Sequence, residues 1–358
     1  MKKYSFALIG SGWRSLFFIR AAKALPELFT LTGVLIRNEE KARAFSQEHG
    51  VPTTTSMDEL LRSRPDFVIL SVKRGCIVEY LSRLFDEGLP VLSETPAADN
   101  MRELSALWEM VCRKNGRMQV AEQYFLQPYY SAFAAVIDKG LIGNVQNITL
   151  SALHDYHAVS IIRRFLGVGF EGCTLRGAQF SFDTAETFGR DGLRFDGTVT
   201  KRRRDRITFA FDSGKTAFYD FSDVQYHSFI RTRQMNVQGE CGEIDDFTVR
   251  YLGRDNIPCE ETLSRVDVGR YNIQEWSTHR LMLGGDIVYQ NPYYPARLND
   301  DELAVAACME KMGEYARGGP EFYPLREALQ DAYLSFLMQQ ALQTPYQEIK
   351  TEPQRFHV

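Results

Sequence analysis

Along its first third the chain alternates two kinds of hydrophobic pattern. Short, nearly continuous apolar runs predict strands at YSFALIG (4–10), FTLTGVLIR (29–37), DFVILSV (66–72), LPVLSE (89–94) and RMQVAEQY (117–124). Between them lie amphipathic segments that predict helices: SLFFIRAAKAL (15–25), NEEKARAFSQEHG (38–50), SMDELLRSR (56–64), GCIVEYLSRLFDEG (75–88) and NMRELSALWEMVCRKNG (100–116). The third of these opens with Ser56 and Glu59 at capping-box spacing. Apolar strands separated by helices imply a parallel sheet covered on both faces, that is, a doubly wound α/β domain.

The pattern changes after about residue 124. A helix at PYYSAFAAVIDKG (128–140) leads to a strand at NVQNITLSAL (144–153) and another helix at AVSIIRRFLG (158–167). Several segments of period two follow, among them LRFDGTVTKRRRDRITFAFDSG and KTAFYDFS, which predict a large, open, mostly antiparallel sheet. Helices return at 300–319 and 325–344. The expected division is therefore 1–122 and 123–358, with the helix at 325–344 packing back on the first domain.

Composition adds bounds. A chain of 358 residues is long for one core, and 44% hydrophobic with 25% charged residues is ordinary for a globular protein. A net charge of −4 gives no electrostatic reason to expect nucleic acid or an anionic membrane as partner. The run KRRRDR (201–206) lacks interleaved aromatics and falls in an alternating pattern, so a charged hairpin or sheet edge is expected there. Cys76, Cys112, Cys173, Cys241, Cys259 and Cys308 are scattered without a Cys-x-x-Cys pair, which fits reduced thiols and no structural metal. Arg14 and Arg20 interrupt the first apolar run, and no other stretch has bilayer-spanning length, so a cytoplasmic location is expected.

The first strand ends in ALIGSGWRS, placing Gly10 and Gly12 between strand and helix. A dinucleotide site needs one glycine for the tight turn and a second for backbone approach to the pyrophosphate. Ser15 holds the third small position, and Trp13 and Arg14 lie inside the turn. The second strand ends in Arg37 and Asn38, where an NAD site usually has an acid. An arginine there suits a 2′-phosphate, so NADP is expected, with NAD as the alternative and Arg14 as a second cation.

The chain resembles the Gfo/Idh/MocA oxidoreductases nearly end to end, through ALIGSGWRS, RNEEKA, SETPAA, DKGLIGNVQNITL, HDYHAVSIIRRFLG, VQGECGEIDD and YPLREALQDAYLSFLMQQAL. The resemblance implies a Rossmann domain, an open-sheet domain that forms a homo-oligomer interface, and a small sugar- or polyol-like substrate. It also exposes departures. The family's Glu-Lys-Pro is Glu94-Thr95-Pro96 here, and the aspartate expected four residues before His157 is Leu153. Threonine supplies one hydrogen bond but no charge, so stabilisation of a developing alkoxide must come from elsewhere.

His157 is the expected acid/base, with a backbone-bonded helix-start histidine as the competing account. His154 and Asp155 are neighbours that could orient it. Thr95 and Lys73 complete the expected catalytic set, and Glu94 the cofactor set of Gly10, Gly12, Trp13, Arg14 and Arg37. Gln123 and Tyr124 sit where the chain leaves the first domain. The leading expectation is an NAD(P)-dependent dehydrogenase or reductase of CH–OH or C=O groups. The departures leave open a non-catalytic NAD(P)/metabolite sensor, and a family branch of NAD-retaining glycosidases supplies a third reading.

Overall fold

The computed structural model describes residues 3–72, 74–189, 192–269 and 277–357. The first domain runs β1 (Tyr4–Ile9), α1 (Ser15–Ala24), β2 (Phe29–Leu35), α2 (Glu39–His49), β3 (Thr53–Thr54), α3 (Met57–Arg62), β4 (Phe67–Leu70), α4 (Ile77–Asp86), β5 (Val91–Ser93), α5 (Met101–Lys114) and β6 (Met118–Val120). The strands form one parallel sheet in the order β3-β2-β1-β4-β5-β6. Strand order therefore reverses between β1 and β4, which opens a crevice beyond their C-terminal ends. This is the expected Rossmann sheet.

Three of its helices start where side chains accept the unpaired N–H groups of the first turn. Asn38, Ser56 and Asn100 accept from the N–H groups of Lys41, Glu59 and Glu103. Each such cap is worth about 1 kcal/mol. At Ser56 the reciprocal half of the expected capping box does not form, because the Glu59 carboxylate accepts from the Thr54 hydroxyl at 2.5 Å.

The second domain begins with α6 (Pro128–Asp138), β7 (Val145–Ser151) and α7 (Asp155–Leu166). The strands β8 (Cys173–Ala185), β9 (Phe188–Gly189), β10 (Gly192–Leu193), β11 (Val199–Phe211), β12 (Thr216–Phe221), β13 (Gln234–Gly239) and β14 (Gly242–Asp245) follow. Next come β15 (Thr248–Leu252), β16 (Pro258–Asp267), β17 (Thr278–Leu283), β18 (Asp286–Gln290), α8 (Asp300–Ala316), α9 (Leu325–Gln343) and β19 (Ile349–Lys350). Eleven of these strands make one sheet, ordered β18-β17-β16-β15-β14-β13-β7-β12-β11-β8-β19. Only the β7–β12 pair is parallel within it.

The basic run lies on β11, which pairs with β8 on one side and β12 on the other. It is an interior strand of a hairpin, so the edge half of the expectation is corrected. Its charges are met within the protein: Arg202 pairs with Glu186, Arg203 with Asp205, and Arg204 and Arg206 with Asp220. Phe180 and Phe218 are each 44% exposed on an uncovered stretch of the sheet.

Two late helices return to the first domain. α9 packs against α5 and β6 as well as α7 and β8. α8 packs against α1, β1 and β4, and its Leu303, Val305 and Met309 share a buried cluster with Phe6, Leu8 and Phe18. Arg20 of α1 donates to Glu302 of α8 at 2.5 Å across this contact. Thus α8 supplies part of the core of the parallel-sheet domain. Among the described residues no helix is long and apolar enough to cross a membrane.

Candidate functional site

A cleft of about 860 Å³ opens at the C-terminal ends of β1, β2, β4 and β5. That size is within the usual range for small-molecule and cofactor sites. Gly10, Gly12, Trp13 and Arg14 line one part, Arg37, Asn38 and Lys41 another, and Glu94, Thr95, Pro96 and Asp99 a third. Gly10 has φ +115°, and a Cβ there would lie 2.0 Å from the carbonyl oxygen of Ser71. No other residue is tolerated at such a position. A Cβ at Gly12 would meet nothing within 4 Å, so backbone is open to the cleft there. No side chain caps α1. These features fit a diphosphate laid across the turn and held by main-chain N–H groups.

Arg37 is exposed at the rim and forms no ion pair among the described residues, and Lys41 lines the same wall. Lys41 escaped the sequence analysis; its signal was its position in the first turn of the helix after β2. Trp13 is 58% exposed and meets the Phe17 ring edge-on at 4.6 Å.

Arg14 lines the cleft, but its charge is committed elsewhere. Its Nε donates to Glu94 Oε1 at 3.1 Å and its Nη1 to Asp301 Oδ2 at 2.7 Å. The expected second cation for a 2′-phosphate is therefore corrected: Arg14 ties the glycine turn to β5 and α8, and Lys41 is the cation that lines the cleft beside Arg37. Burial would lower the Arg14 pKa, and the two carboxylates raise it instead. Burial raises the Glu94 pKa against the pull of Arg14. The Thr95 N–H also donates to Glu94, at 3.3 Å. Asp301 accepts in addition from Gln123 and Gln127 at 3.2 and 3.3 Å. The other end of the Gln123 amide, Oε1, is buried without a partner among the described residues, an acceptor left open to a ligand's N–H.

His157 sits in the first turn of α7, three residues beyond the short connection from β7. It is 8% exposed, and its Nδ1 lies 2.5 Å from Oε2 of Glu122, which is 0% exposed. A carboxylate only accepts, so Nδ1 is the donor in this pair and Nε2 is the ring nitrogen left outside it. The competing account, a histidine bonded to backbone, is thereby corrected. The His157 ring packs 4.5 Å from Tyr124 and 4.9 Å from His154. The histidine is joined to the cleft wall through neighbouring residues: the Tyr124 ring it meets follows Gln123, which bonds the Asp301 that also holds Arg14 beside Glu94.

The neighbours proposed to orient His157 are otherwise engaged. His154 Nδ1 is 2.6 Å from the Tyr226 hydroxyl, and Asp155 accepts from Gln339 of α9 at 3.0 Å. Tyr124 has its pKa pushed up to about 12 by burial and by Asp301, so its hydroxyl stays protonated at neutral pH. Lys73 lies outside the described residues. Among the described residues no group of three or more His, Cys, Asp or Glu is placed to hold a metal ion.

Comparison with known proteins agrees with this geometry. Residues 4–122 match the GFO_IDH_MocA oxidoreductase family with its NAD-binding Rossmann fold. The oxidoreductase YteT of Bacillus subtilis is 24% identical over 173 residues, 46% of this chain and 40% of its own length. The dTDP-3,4-didehydro-2,6-dideoxy-alpha-D-glucose 3-reductase of Actinomadura kijaniata is 26% identical over 196 residues, 54% of this chain and 58% of its own. The chain thus spans roughly half the length of these curated relatives. A levoglucosan dehydrogenase solved with NADH and levoglucosan superposes with a TM-score of 0.69 at 14% identity, covering 98% of this chain and 100% of that one. At that identity the likeness shows the fold, here across both domains.

Proposed function

Since residues 4–122 belong to the Gfo/Idh/MocA oxidoreductase family and the whole chain carries that two-domain fold, we propose an NADP-dependent oxidoreductase that acts on a sugar- or polyol-like CH–OH or C=O carbon. One observation carries this reading: a buried histidine, fixed through Nδ1 by Glu122 and packed on Tyr124, is tied through the adjacent Gln123 to the Asp301–Arg14–Glu94 network that walls the cleft. Arg37 and Lys41, with no acid at the tip of β2, support NADP over NAD.

In this reading Gly10 and Gly12 hold the diphosphate, and Arg37 and Lys41 hold the 2′-phosphate. The bound coenzyme supplies the hydride acceptor or donor. His157 Nε2 takes the substrate hydroxyl proton in oxidation and returns it in reduction. Thr95 offers one neutral hydrogen bond from the cleft wall. Arg14, always charged and fixed by Glu94 and Asp301, is the nearest described cation to replace the family's lysine. A homo-oligomer would form through the open sheet around Phe180 and Phe218.

The second reading, a coenzyme-binding sensor, draws on Thr95 and on Leu153, which is fully buried and apolar where the family has an acid. Coenzyme absorbance followed with a panel of keto-sugars and polyols separates them. Turnover with NADPH or NADP is expected, falling about 10²–10⁴-fold in His157→Ala with coenzyme affinity unchanged. Tight binding with no turnover on any substrate establishes the sensor. Release of an aglycone with no net change in coenzyme establishes a glycosidase.

A further inference from the structure

The sequence assigns Glu122 no role, yet its carboxylate is fully buried beside His157. It follows the end of β6 by two residues, where the chain crosses between domains. Its Oε2 faces His157 Nδ1 at 2.5 Å, and its Oε1 accepts the Tyr124 N–H at 3.1 Å. Both oxygens are therefore fixed, one by a backbone donor that cannot rotate away. The Cys308 thiol of α8 closes over its main chain, 3.8 Å from the Glu122 carbonyl oxygen. A fully buried carboxylate is costly unless a partner offsets it, and among the described residues only His157 forms such a pair with it.

Among the described residues no other side chain hydrogen-bonds this imidazole. Leu153 is apolar, Asp155 is held by Gln339, and His154 is held by Tyr226. Ser160 Oγ reaches only the His157 carbonyl, at 3.4 Å. We infer that Glu122 is the positioning residue for His157: it holds the Nδ1–H tautomer and aims Nε2 at the reacting hydroxyl, replacing from the first domain the carboxylate that Leu153 cannot provide. The inference rests on the oxidoreductase reading for the reaction, though not for the tautomer. In substrate oxidation the hydroxyl proton goes to Nε2 and the hydride to the coenzyme; the imidazolium so formed is stabilised by the Glu122 carboxylate, which itself takes no proton.

The test uses the full chain with Glu122→Gln and Glu122→Asp. In the parent a low-field imidazole N–H proton signal, absent in His157→Ala, is expected; it moves upfield in Glu122→Gln. The kcat should fall about 10²–10³-fold in Glu122→Gln with KM within about twofold, and the acid limb of its pH–rate profile should move to lower pH. Glu122→Asp should recover part of the loss. In a His157→Ala background, Glu122→Gln should lower kcat no further. An unchanged N–H signal, an unchanged pH profile, or additive losses would overturn the assignment. If Glu122→Gln does not fold, the parent signal and Glu122→Asp decide it. If the parent shows no turnover, the reading of the reaction fails, while the N–H signal still decides whether Glu122 sets the tautomer.

Discussion

The two ends of the cleft are built by opposite means. At the glycine turn the ligand surface is main chain, shaped by residues within a few positions of one another. At the Glu94 end it is side chains brought from remote parts of the chain: Glu122 lies 35 residues from His157, and Asp301 lies 287 from Arg14. The first end can be broken by geometry alone, and the second by removing one charge from a buried set. A local surface has few ways to fail and each is complete; a dispersed one fails in parts.

The largest effect should come from Gly10→Val. A Cβ 2.0 Å from the Ser71 carbonyl, at a φ that L residues avoid, should cost roughly 2–6 kcal/mol and abolish coenzyme binding. Denaturant unfolding and calorimetry check both; retained binding would show that the turn is not the diphosphate seat. Next, Arg163→Met should cost about 3–5 kcal/mol by stripping a buried partner from Asp331, yet leave coenzyme affinity of the folded fraction unchanged.

The same carboxyl makes a pH prediction. Burial, against the opposing pull of Arg163, raises the Asp331 pKa from 3.8 to about 6. Between those values the native chain binds more protons there than the unfolded chain, so this group's contribution to stability declines as pH rises through that window. Unfolding curves across it, compared with Asp331→Asn, give the sign directly. The smallest effect belongs to Arg37→Asp, which should shift preference from NADP toward NAD by about 10- to 100-fold, or roughly 1.4–2.8 kcal/mol. An unchanged ratio of affinities would leave Lys41, or neither residue, as the selector.

Legibility in the sequence follows the same division. The doubly wound domain and the turn at Gly10 are legible because strand periodicity and a turn's steric demand are local, and Arg37 lines the cleft where the end of β2 predicts it. His157 was readable by its place in a motif, but its orienting partner was not. Glu122 looks like any acid after a strand, and nothing in VAEQY announces a partner on α7. Arg14 was misassigned for a related reason: an arginine in a phosphate turn points to an anion, and only the return of α8 brings Asp301 within 2.7 Å of it. The basic run on β11 was recognised as sheet. Its interior place depended on β8, whose pairing partner lies beyond two short strands.

The return of α8 also limits how this molecule can be divided. Phe6, Leu8 and Phe18 are sealed from water by a helix encoded some three hundred residues downstream. An isolated fragment ending at the sixth strand would present that greasy flank bare, so the first half is not a portable module and seals its core only after the ribosome has delivered the chain through Ala316.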